Sequence, residues 1–219
     1  VWQRLKSAPP DFESYPAGEA RKTAFFNYFG PLIDAENQNR RLRRERLLAL
    51  KAGTASKRDR LWLDELAVFC DIPEELSYDR RIDALLVHVG QVPRSLALAQ
   101  AAKESAWGTS RFAVEGNNYF GQRCYTEGCG MIPANRPRGA KFEVRRFDSP
   151  EASVESYMNN INSHPDYVSF RAYRAKQRMA GRPIKGIDAA EQLTQYSERR
   201  QAYVDEIQSL IHFNRLEAQ

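Results

Sequence analysis

The side chain best suited to acid chemistry is Glu104, in the segment Leu96 to Trp107. The segment is rich in Ala and Leu and has no Gly, Pro or β-branched residue, which predicts a helix. Ser95 is its expected N-cap and Gly108 its expected end. At about 100° per residue, the face of Glu104 also carries Ala97, Gln100, Ala101 and Trp107. A carboxyl group on such a small, largely apolar face is poorly hydrated. Its pKa is therefore expected to rise towards neutrality, as a general acid requires.

Glu104 also lies within a longer pattern, A-x-x-E-S-x-W-G-x-S-x-F-A followed by N-N-x-F-G. This pattern resembles the signature of bacterial peptidoglycan N-acetylglucosaminidases in family 73 of the glycoside hydrolases, which includes the flagellar peptidoglycan hydrolases. The resemblance continues through G-Q-R-C-Y-T-E-G-C-G and F-D-S-P-E-A-S-V-E-S-Y-M-N-N-I-N-S-H-P-D-Y, and it covers roughly Asp79 to Ile211. It implies hydrolysis of glycan strands after N-acetylglucosamine, with Glu104 as proton donor and with no metal or cofactor. Amidase activity is not expected.

The second catalytic group is open. Carboxylate candidates are Glu127, Glu143 and Asp148, and the resemblance favours the position of Glu127. Glu127 could equally lie in an exposed turn, Glu143 on the polar face of a strand, and Asp148 at a helix N-cap. Glycosidases can also use the N-acetyl oxygen of the substrate as the nucleophile, a route that needs no second carboxylate. We rank this substrate-assisted route first.

A substrate-assisted route still needs a group that orients the acetamido group or the water. By resemblance this group is Tyr203, because Q-A-Y-V-D-E-I is similar to the family's late D-P-x-Y-A-x-x-I element. The alternative is a half-buried tyrosine on the last helix. Tyr167, in H-P-D-Y, matches a family tyrosine near the groove.

Sugars are gripped by flat rings and by side-chain amides. Such side chains follow the Glu104 segment directly, and we predict that they bind substrate: Asn117, Asn118, Tyr119, Phe120 and Gln122. Trp107 is interpreted instead as packing beneath Glu104.

Two of the three cysteines, Cys124 and Cys129, are spaced so that a short hairpin could bridge them. A disulfide closing so small a ring would contribute roughly 2 kcal/mol. Zinc is the rival, but it needs more ligands than two cysteines. We favour the disulfide, and hence an oxidising compartment. Cys70 is predicted to be a buried thiol and His88 a packed core histidine.

The composition is that of an ordinary globular protein, with 42% hydrophobic and 28% charged residues. The net charge of +5 favours polyanionic partners such as an acidic cell wall. The basic residues are widely spread and no nucleic-acid-reading motif is present, so a nucleic-acid partner is not expected. No apolar run is long enough to span a bilayer. The chain begins at Val1 with no signal-like segment, so a targeting peptide is expected to have been removed or left out of this sequence. We expect a periplasmic or cell-envelope location.

The fold is predicted to be α+β and mainly helical, with a lysozyme-like α-lobe and a small β-hairpin lobe. Residues 1–78 are predicted to form an N-terminal helical extension, and residues 79–219 the catalytic domain. The extension could wrap on the catalytic domain or serve as a spacer towards a membrane anchor, and in either case it could also bind a protein partner. The extension begins with an extended arm, Val1 to Glu19, and continues with a helix, Ala20 to Ala52, that Pro31 could kink or divide. The basic run Arg40 to Arg46 is interpreted as a solvated helix face. A second helix is expected from about Ser56 to Phe69.

Within the catalytic domain, Asp79 is the expected cap of a helix over Arg80 to Val89, and Asp148 of a helix ending at Pro165. Two rival functions remain beside the hydrolase: a lytic transglycosylase, which would leave an anhydro-sugar end, and a non-catalytic wall-binding or assembly module.

Overall fold

The computed structural model describes residues 8–53 and 55–218. Over this part of the chain the helices are α1 (Glu19–Ala52), α2 (Lys57–Phe69), α3 (Tyr78–His88), α4 (Arg94–Glu104), α5 (Arg111–Gly116), α6 (Pro150–Ser163), α7 (Val168–Met179), α8 (Gly186–Ala190) and α9 (Gln201–Phe213). The strands are β1 (Arg123–Cys124), β2 (Gly130–Met131) and β3 (Glu143–Arg145). The predicted class, α+β and mainly helical, is confirmed.

The sheet differs from the simple hairpin that the sequence predicts. Within the described residues it has three antiparallel strands, with β3 in the centre between β1 and β2. Val144 lies opposite Arg123 on one side and Met131 on the other. β3 is thus the shared central strand, paired along both of its edges.

Contacts between residues divide the described part of the chain into two compact units. Among the described residues, the first unit joins residues 8–33 with residues 97–157, and the second joins residues 34–53 and 55–96 with residues 158–218. Neither unit ends at residue 78, so the predicted division into an extension (1–78) and a catalytic domain (79–219) stays a prediction. Of the predicted extended arm, residues 1–7 lie outside the described residues, and residues 12–14 form a short 3₁₀ turn.

The first unit contains an aromatic core built on α1. Phe25 and Phe29 are fully buried, with ring centroids 4.6 Å apart. Phe29 also contacts Tyr119, at 4.5 Å. Pro31 lies inside α1 and does not divide it. Phe25, Phe29 and Ile33 thus form the buried stripe of α1, and Leu32 is half-buried beside them.

The second unit has its own apolar core, formed by α1, α2 and α3 around residues such as Leu47, Leu63, Ile82 and Leu85. Helix α2 begins as predicted, because Ser56 and Asp59 form a reciprocal capping box. Cys70 lies in this core and is 1% exposed, as predicted. His88 is only half-buried, and its Nδ1 lies 3.3 Å from the carbonyl oxygen of Cys70. Burial lowers its pKa.

The interpretation of the basic run as a solvated face is wrong for Arg40. Arg40 is 1% exposed, and its Nε lies 2.9 Å from Oε1 of Glu36, one turn earlier. Further along the run, Arg44 donates to the carbonyl oxygen of Leu86, and Arg46 contacts both Asp59 and the ring of Trp62. Arg44 and Arg46 thus bind neighbouring helices and are part of the second unit's packing.

The linker between α3 and α4 is held by buried polar side chains. The Arg174 guanidinium donates to the carbonyl oxygens of Val87 (2.9 Å) and Gln91 (3.1 Å). Asn162 donates to Gly90 O at 3.0 Å. Asn37 both donates to Val92 O and accepts from Val92 N. The backbone groups left over at the end of α3 are therefore satisfied by side chains from α1, α6 and α7.

Three of the predicted helix starts need correction. Helix α3 begins after Ser77, with Asp79 already inside its first turn. Helix α4 begins at Arg94, so Ser95 is not a cap; it is buried beneath Gly186, where an added Cβ would lie 2.2 Å from Ser95 Oγ. Helix α6 begins at Pro150, and Ser149 Oγ, not the exposed Asp148, accepts from Ala152 N. At α3 and α6 two short polar residues stand close together, Ser77 with Asp79 and Asp148 with Ser149, and the sequence does not decide where the helix begins.

Candidate active site

Glu104 is the last residue of α4, one turn earlier than the sequence predicts for the helix end. The helix stops because Ala106 and Trp107 adopt left-handed backbone conformations, with φ of 50° and 59°, followed by Gly108 at 80°. Trp107 is therefore not on the helical face of Glu104, which corrects the prediction. Glu104 is half-buried, at the point where the helix turns into a loop.

The loop that follows Glu104 is fastened by the fully buried Ser105. Its hydroxyl donates to Ala101 O at 2.6 Å and accepts from Gly108 N at 2.9 Å. In addition, Trp107 N donates to Ala102 O at 2.8 Å. Since these bonds tie the turn back to the last turn of α4, the Ser of E-S-x-W-G has a structural role beside Glu104.

The rest of the predicted α4 face is confirmed. Ala97, Gln100 and Ala101 are all fully buried. The Gln100 amide oxygen accepts a 2.6 Å hydrogen bond from the Tyr157 hydroxyl. The neutral, hydrogen-bonded amide of Gln100 thus lies one turn before Glu104. Tyr157 was not predicted as its partner, because it lies 57 residues away from Gln100.

The two parts of the sequence pattern meet at Glu104 and Gly121. Gly121 has φ of 65°, and a Cβ built on it would lie 3.0 Å from Glu104 Oε2 and 3.8 Å from Cδ. The carboxylate of Glu104 therefore faces the Cα of Gly121, so close that a β-carbon at this position would require the carboxylate to shift by a few tenths of an ångström. The Gly of N-N-x-F-G is required both for its backbone conformation and for this close approach.

The residues between α5 and Gly121 are engaged with protein. Asn117 ends α5 in the left-handed conformation and donates to Phe147 O at 3.0 Å. Asn118 is 1% exposed; its amide donates to Gln122 O and Arg145 O and accepts from the backbone N–H groups of Phe120 and Gln122. These bonds shape the loop that carries Gly121.

The two aromatic residues of the same segment are also buried. Tyr119 contacts Phe29, and the ring of Phe120 stacks on Tyr157 with centroids 4.0 Å apart. Substrate contact by Asn117, Asn118, Tyr119 and Phe120 stays a prediction. What the structure shows is that these side chains support the loop.

Gln122 differs from its neighbours. It is half-buried, and its Nε2 donates to Ser156 Oγ at 2.7 Å. Its Oε1 has no hydrogen-bond partner among the described residues, although the atom itself is buried. A buried acceptor of this kind is normally satisfied by water or by a ligand. Among the side-chain amides predicted to bind substrate, Gln122 therefore has a hydrogen-bond acceptor that a ligand could use.

The predicted disulfide between Cys124 and Cys129 is present, with the two Cα atoms 6.2 Å apart. Sulfur atoms of both cysteines and the carboxylate of Glu143 lie within 4.8 Å of one another. A pair of bonded sulfurs supplies no thiolate, so this cluster is not a zinc site in the disulfide state.

Glu127 and Glu143 have different surroundings. Glu127 is exposed, inside the disulfide loop. Glu143 is buried, and its two carboxylate oxygens accept from Gly128 N at 3.0 Å and Gly130 N at 2.7 Å. These two backbone N–H groups hold the pKa of Glu143 below its usual range. Glu143 thus fastens the loop that displays Glu127.

The predicted tyrosines Tyr167 and Tyr203 belong to the second unit, and they are connected by a residue that the sequence analysis missed. Tyr196 stacks on Tyr203, with centroids 5.5 Å apart and an angle of 12° between the rings. The same ring lies 6.1 Å from Tyr167. Tyr167 and Tyr203 are buried and Tyr196 is half-buried. Two tyrosines named from separate motifs therefore contact one common ring.

Comparison with known proteins identifies the family of the chain. The chain belongs to the glucosaminidase family, whose model, described as mannosyl-glycoprotein endo-beta-N-acetylglucosaminidase, matches residues 85–216. It is also similar to the protein bax of Escherichia coli (strain K12), with 32% identity over 200 residues, which cover 90% of this chain and 71% of that protein. No solved structure matches the chain. The resemblance to this family that the sequence indicates is confirmed.

Among the helices of the described residues, none has the combination of length and apolarity that is needed to cross a membrane.

Proposed function

We propose that this protein is an endo-β-N-acetylglucosaminidase that hydrolyses the glycan strands of bacterial peptidoglycan, with Glu104 as the general acid. The observation that carries the proposal is the close approach of Glu104 Oε2 to Gly121. This contact brings the E-S-x-W-G and N-N-x-F-G parts of the pattern together at the carboxylate of Glu104, at the end of α4. Both parts lie within the residues that the family model matches. A general acid must reach a glycosidic oxygen, and a half-buried carboxyl beside a bare Cα has the access for this.

For the second role we propose substrate assistance, in which the N-acetyl oxygen attacks the anomeric carbon. Both carboxylate oxygens of Glu143 accept hydrogen bonds from backbone N–H groups, which supports the proposal that Glu143 is not the second catalytic group. Glu127, exposed and carried on a fastened loop, is the carboxylate alternative. Tyr203 is the proposed orienting group, and its stacking on Tyr196 supports a fixed ring position.

We propose that substrate binding involves Gln122 through its unpaired Oε1, together with the loop from Asn117 to Phe120 and with Tyr167. A glycan substrate places the protein in the cell envelope, and a reaction of this kind needs no metal or cofactor. The alternatives remain a lytic transglycosylase and a non-catalytic wall-binding module.

The first test is digestion of purified peptidoglycan by the wild type, by Glu104→Gln and by Glu115→Gln. Glu115 is an exposed glutamate in α5 and serves as the matched control. Glu104→Gln keeps the shape of the side chain and removes the transferable proton, so it should lower the rate at least about 100-fold. Mass spectrometry should find reducing N-acetylglucosamine ends with the wild type and with Glu115→Gln.

Other product patterns decide against the proposal. Anhydro-sugar ends would identify a transglycosylase. Wall binding by folded wild type without any new ends would identify a binding module. Equal rates for Glu104→Gln and wild type would remove Glu104 from the mechanism.

The nucleophile is tested separately, with glycan strands whose N-acetylglucosamine units have been de-N-acetylated. Substrate assistance predicts no cleavage of these strands, retention at the anomeric carbon, and near-normal activity of Glu127→Gln on the acetylated strands. Inversion together with an inactive Glu127→Gln would assign the second role to Glu127.

A further inference from the structure

The N-terminal residues of this protein belong to the same compact unit as Glu104. The family match begins at residue 85, so residues 8–33 lie outside it. These residues are nevertheless grouped with residues 97–157 in the first unit. The question is therefore what they contribute beside the catalytic helix.

Phe12 is the anchor of this segment. It begins a short 3₁₀ turn that Asp11 caps, with Glu13 N donating to Asp11 Oδ1 at 3.1 Å. The turn carries the Phe12 ring into the unit's interior, where it is 2% exposed. The ring contacts Phe25 at 5.3 Å, Tyr28 at 6.2 Å and Phe29 at 6.3 Å.

The Phe12 ring also lies directly on Gly108. A Cβ added to Gly108 would lie 2.3 Å from Phe12 Cδ2 and 2.8 Å from Cε2. Gly108 has φ of 80°. The glycine of E-S-x-W-G is thus required for a reason outside its own motif, since the ring of a residue 96 positions earlier occupies the place of a side chain.

Trp107 is held by the same segment. Its ring meets Phe25 and Phe26 of α1 edge-on, at centroid distances of 5.9 and 5.4 Å. Lys22, one turn earlier on α1, places its Nζ 5.4 Å from the centroid of the Trp107 ring. Residues of the N-terminal segment therefore cover both Trp107 and Gly108.

The turn that these contacts hold is an unfavourable one. Ala106 and Trp107 are L-residues in the left-handed region, a conformation that persists only where the surroundings enforce it. The hydrogen bonds of Ser105 fasten the turn from the side of α4. The aromatic side chains of residues 12–29 fasten it from the other side.

We propose that Phe12 is a positioning residue for Glu104, and that the N-terminal segment is thereby a working part of the catalytic unit. Phe12 acts on Gly108 directly and on Trp107 through Phe25. By holding the turn 105–108, it fixes where α4 ends and where the Glu104 carboxylate points. The inference rests on the proposed function, because it assigns a purpose to the position of Glu104.

The test is a graded series in the full chain, Phe12→Leu, Phe12→Val and Phe12→Ala, with Tyr15→Ala as control. Tyr15 follows the same turn and is 36% exposed. Each variant is assayed on soluble, uncrosslinked glycan strands at temperatures below its own unfolding transition. A small misplacement of a catalytic group has large effects on rate, so kcat should fall in the order Leu, Val, Ala, by about 10- to 100-fold for Ala. KM should change by less than about threefold, since Phe12 touches no substrate.

Amide hydrogen exchange provides a readout that does not depend on activity. The N–H groups of Trp107, Gly108 and Ser110 are bonded within the turn. They should exchange faster along the Phe12 series, while the N–H groups in the middle of α9 keep their protection. If Phe12→Ala does not fold, the Leu and Val variants carry the comparison.

The outcomes separate the two ideas. If wild type cleaves glycan, Glu104→Gln does not, and the folded Phe12 variants keep wild-type kcat, the positioning role is overturned and the proposed function stands. A loss of activity that appears only as raised KM, with unchanged exchange in the turn, also overturns it. If wild type cleaves no glycan, the proposed function fails first and the positioning role fails with it.

Discussion

The carboxylate of Glu104 lies against the Cα of Gly121, so close that a β-carbon on Gly121 would stand 3.0 Å from Oε2. Glu104 ends a helix and Gly121 ends a loop, 17 residues later in the chain. Their contact brings the two halves of the sequence pattern together, and it is the basis of the first prediction.

Gly121→Ala should lower glycan cleavage by at least about 10-fold, because the new methyl group displaces the Glu104 carboxylate. Alanine at φ of 65° also carries a backbone strain of about 1 kcal/mol. Gly139→Ala is the matched control, since Gly139 has φ of 86° and nothing within 4 Å of an added Cβ. It should show similar strain and wild-type activity. Equal losses in the two variants would mean that strain alone matters.

The β-lobe should lose stability in acid through Glu143. The N–H groups of Gly128 and Gly130 lower the pKa of this carboxyl in the folded protein. A lowered pKa in the folded state contributes stability above the unfolded pKa of about 4.5, and this contribution is lost as the pH falls through the folded value. Urea unfolding at pH 3 to 7 should therefore show a weaker acid dependence for Glu143→Gln than for wild type.

Glu127→Gln is the control for this measurement, since it removes an exposed carboxylate from the same loop. It should keep the acid dependence of the wild type. A Glu143→Gln protein with the full wild-type slope would show that the carboxylate contributes no pH-linked stability to the loop.

Arg174 should be among the most sensitive positions of the second unit. Its guanidinium donates to Val87 O, Gln91 O and Asn162 Oδ1, and it is 1% exposed. Burial, followed by the neighbouring arginines, lowers its pKa. Arg174→Met relieves the buried charge but leaves three acceptors unsatisfied, so the free energy of unfolding should fall by about 2–3 kcal/mol.

Chemical denaturation measures this change, with Arg41→Met as the control. Arg41 forms a half-exposed ion pair with Glu45, and its loss should cost less than about 0.5 kcal/mol. If Arg174→Met were as stable as wild type, the side-chain clamp on the α3–α4 linker would contribute nothing.

Cys70 should not react in the folded protein. Burial raises the pKa of its thiol to about 11, against the opposing effect of Arg40 and Arg43. At pH 8 the thiolate fraction is then on the order of one in a thousand. An aromatic disulfide reagent should titrate no thiol in the native state, one after unfolding, and three after unfolding with reduction. Fast labelling of native wild type, absent in Cys70→Ser, would contradict the buried position.

The sequence predicts most of the helices and the general position of the site, because these depend on nearby residues. The Ala- and Leu-rich segment before Glu104 and the segment from about Ser56 to Phe69 were predicted as helices from neighbouring residues, and both helices are confirmed. The spacing of Cys124 and Cys129 is also local, and the predicted bond is present. The family pattern itself comes from residues close together in the chain.

Other features were decided by contacts between distant residues. The end of α4 at Glu104 depends on left-handed residues that hydrogen bonds and Phe12, Phe25 and Phe26 stabilise, and no local propensity predicts two such residues in a row. The burial of Arg40 and Arg174 could not be predicted from the sequence either, because a charged side chain is expected to be exposed to water unless partners distant in sequence satisfy it.

The sequence by itself therefore determined the helical segments, the disulfide and the family to which the chain belongs. The tertiary structure decided where helix α4 stops, that Gly121 faces Glu104, and that the N-terminal aromatic residues pack onto the turn beside it. The physical reason is range: helix propensity and capping act over about four residues, whereas packing and the satisfaction of buried polar groups depend on residues that only the fold brings together.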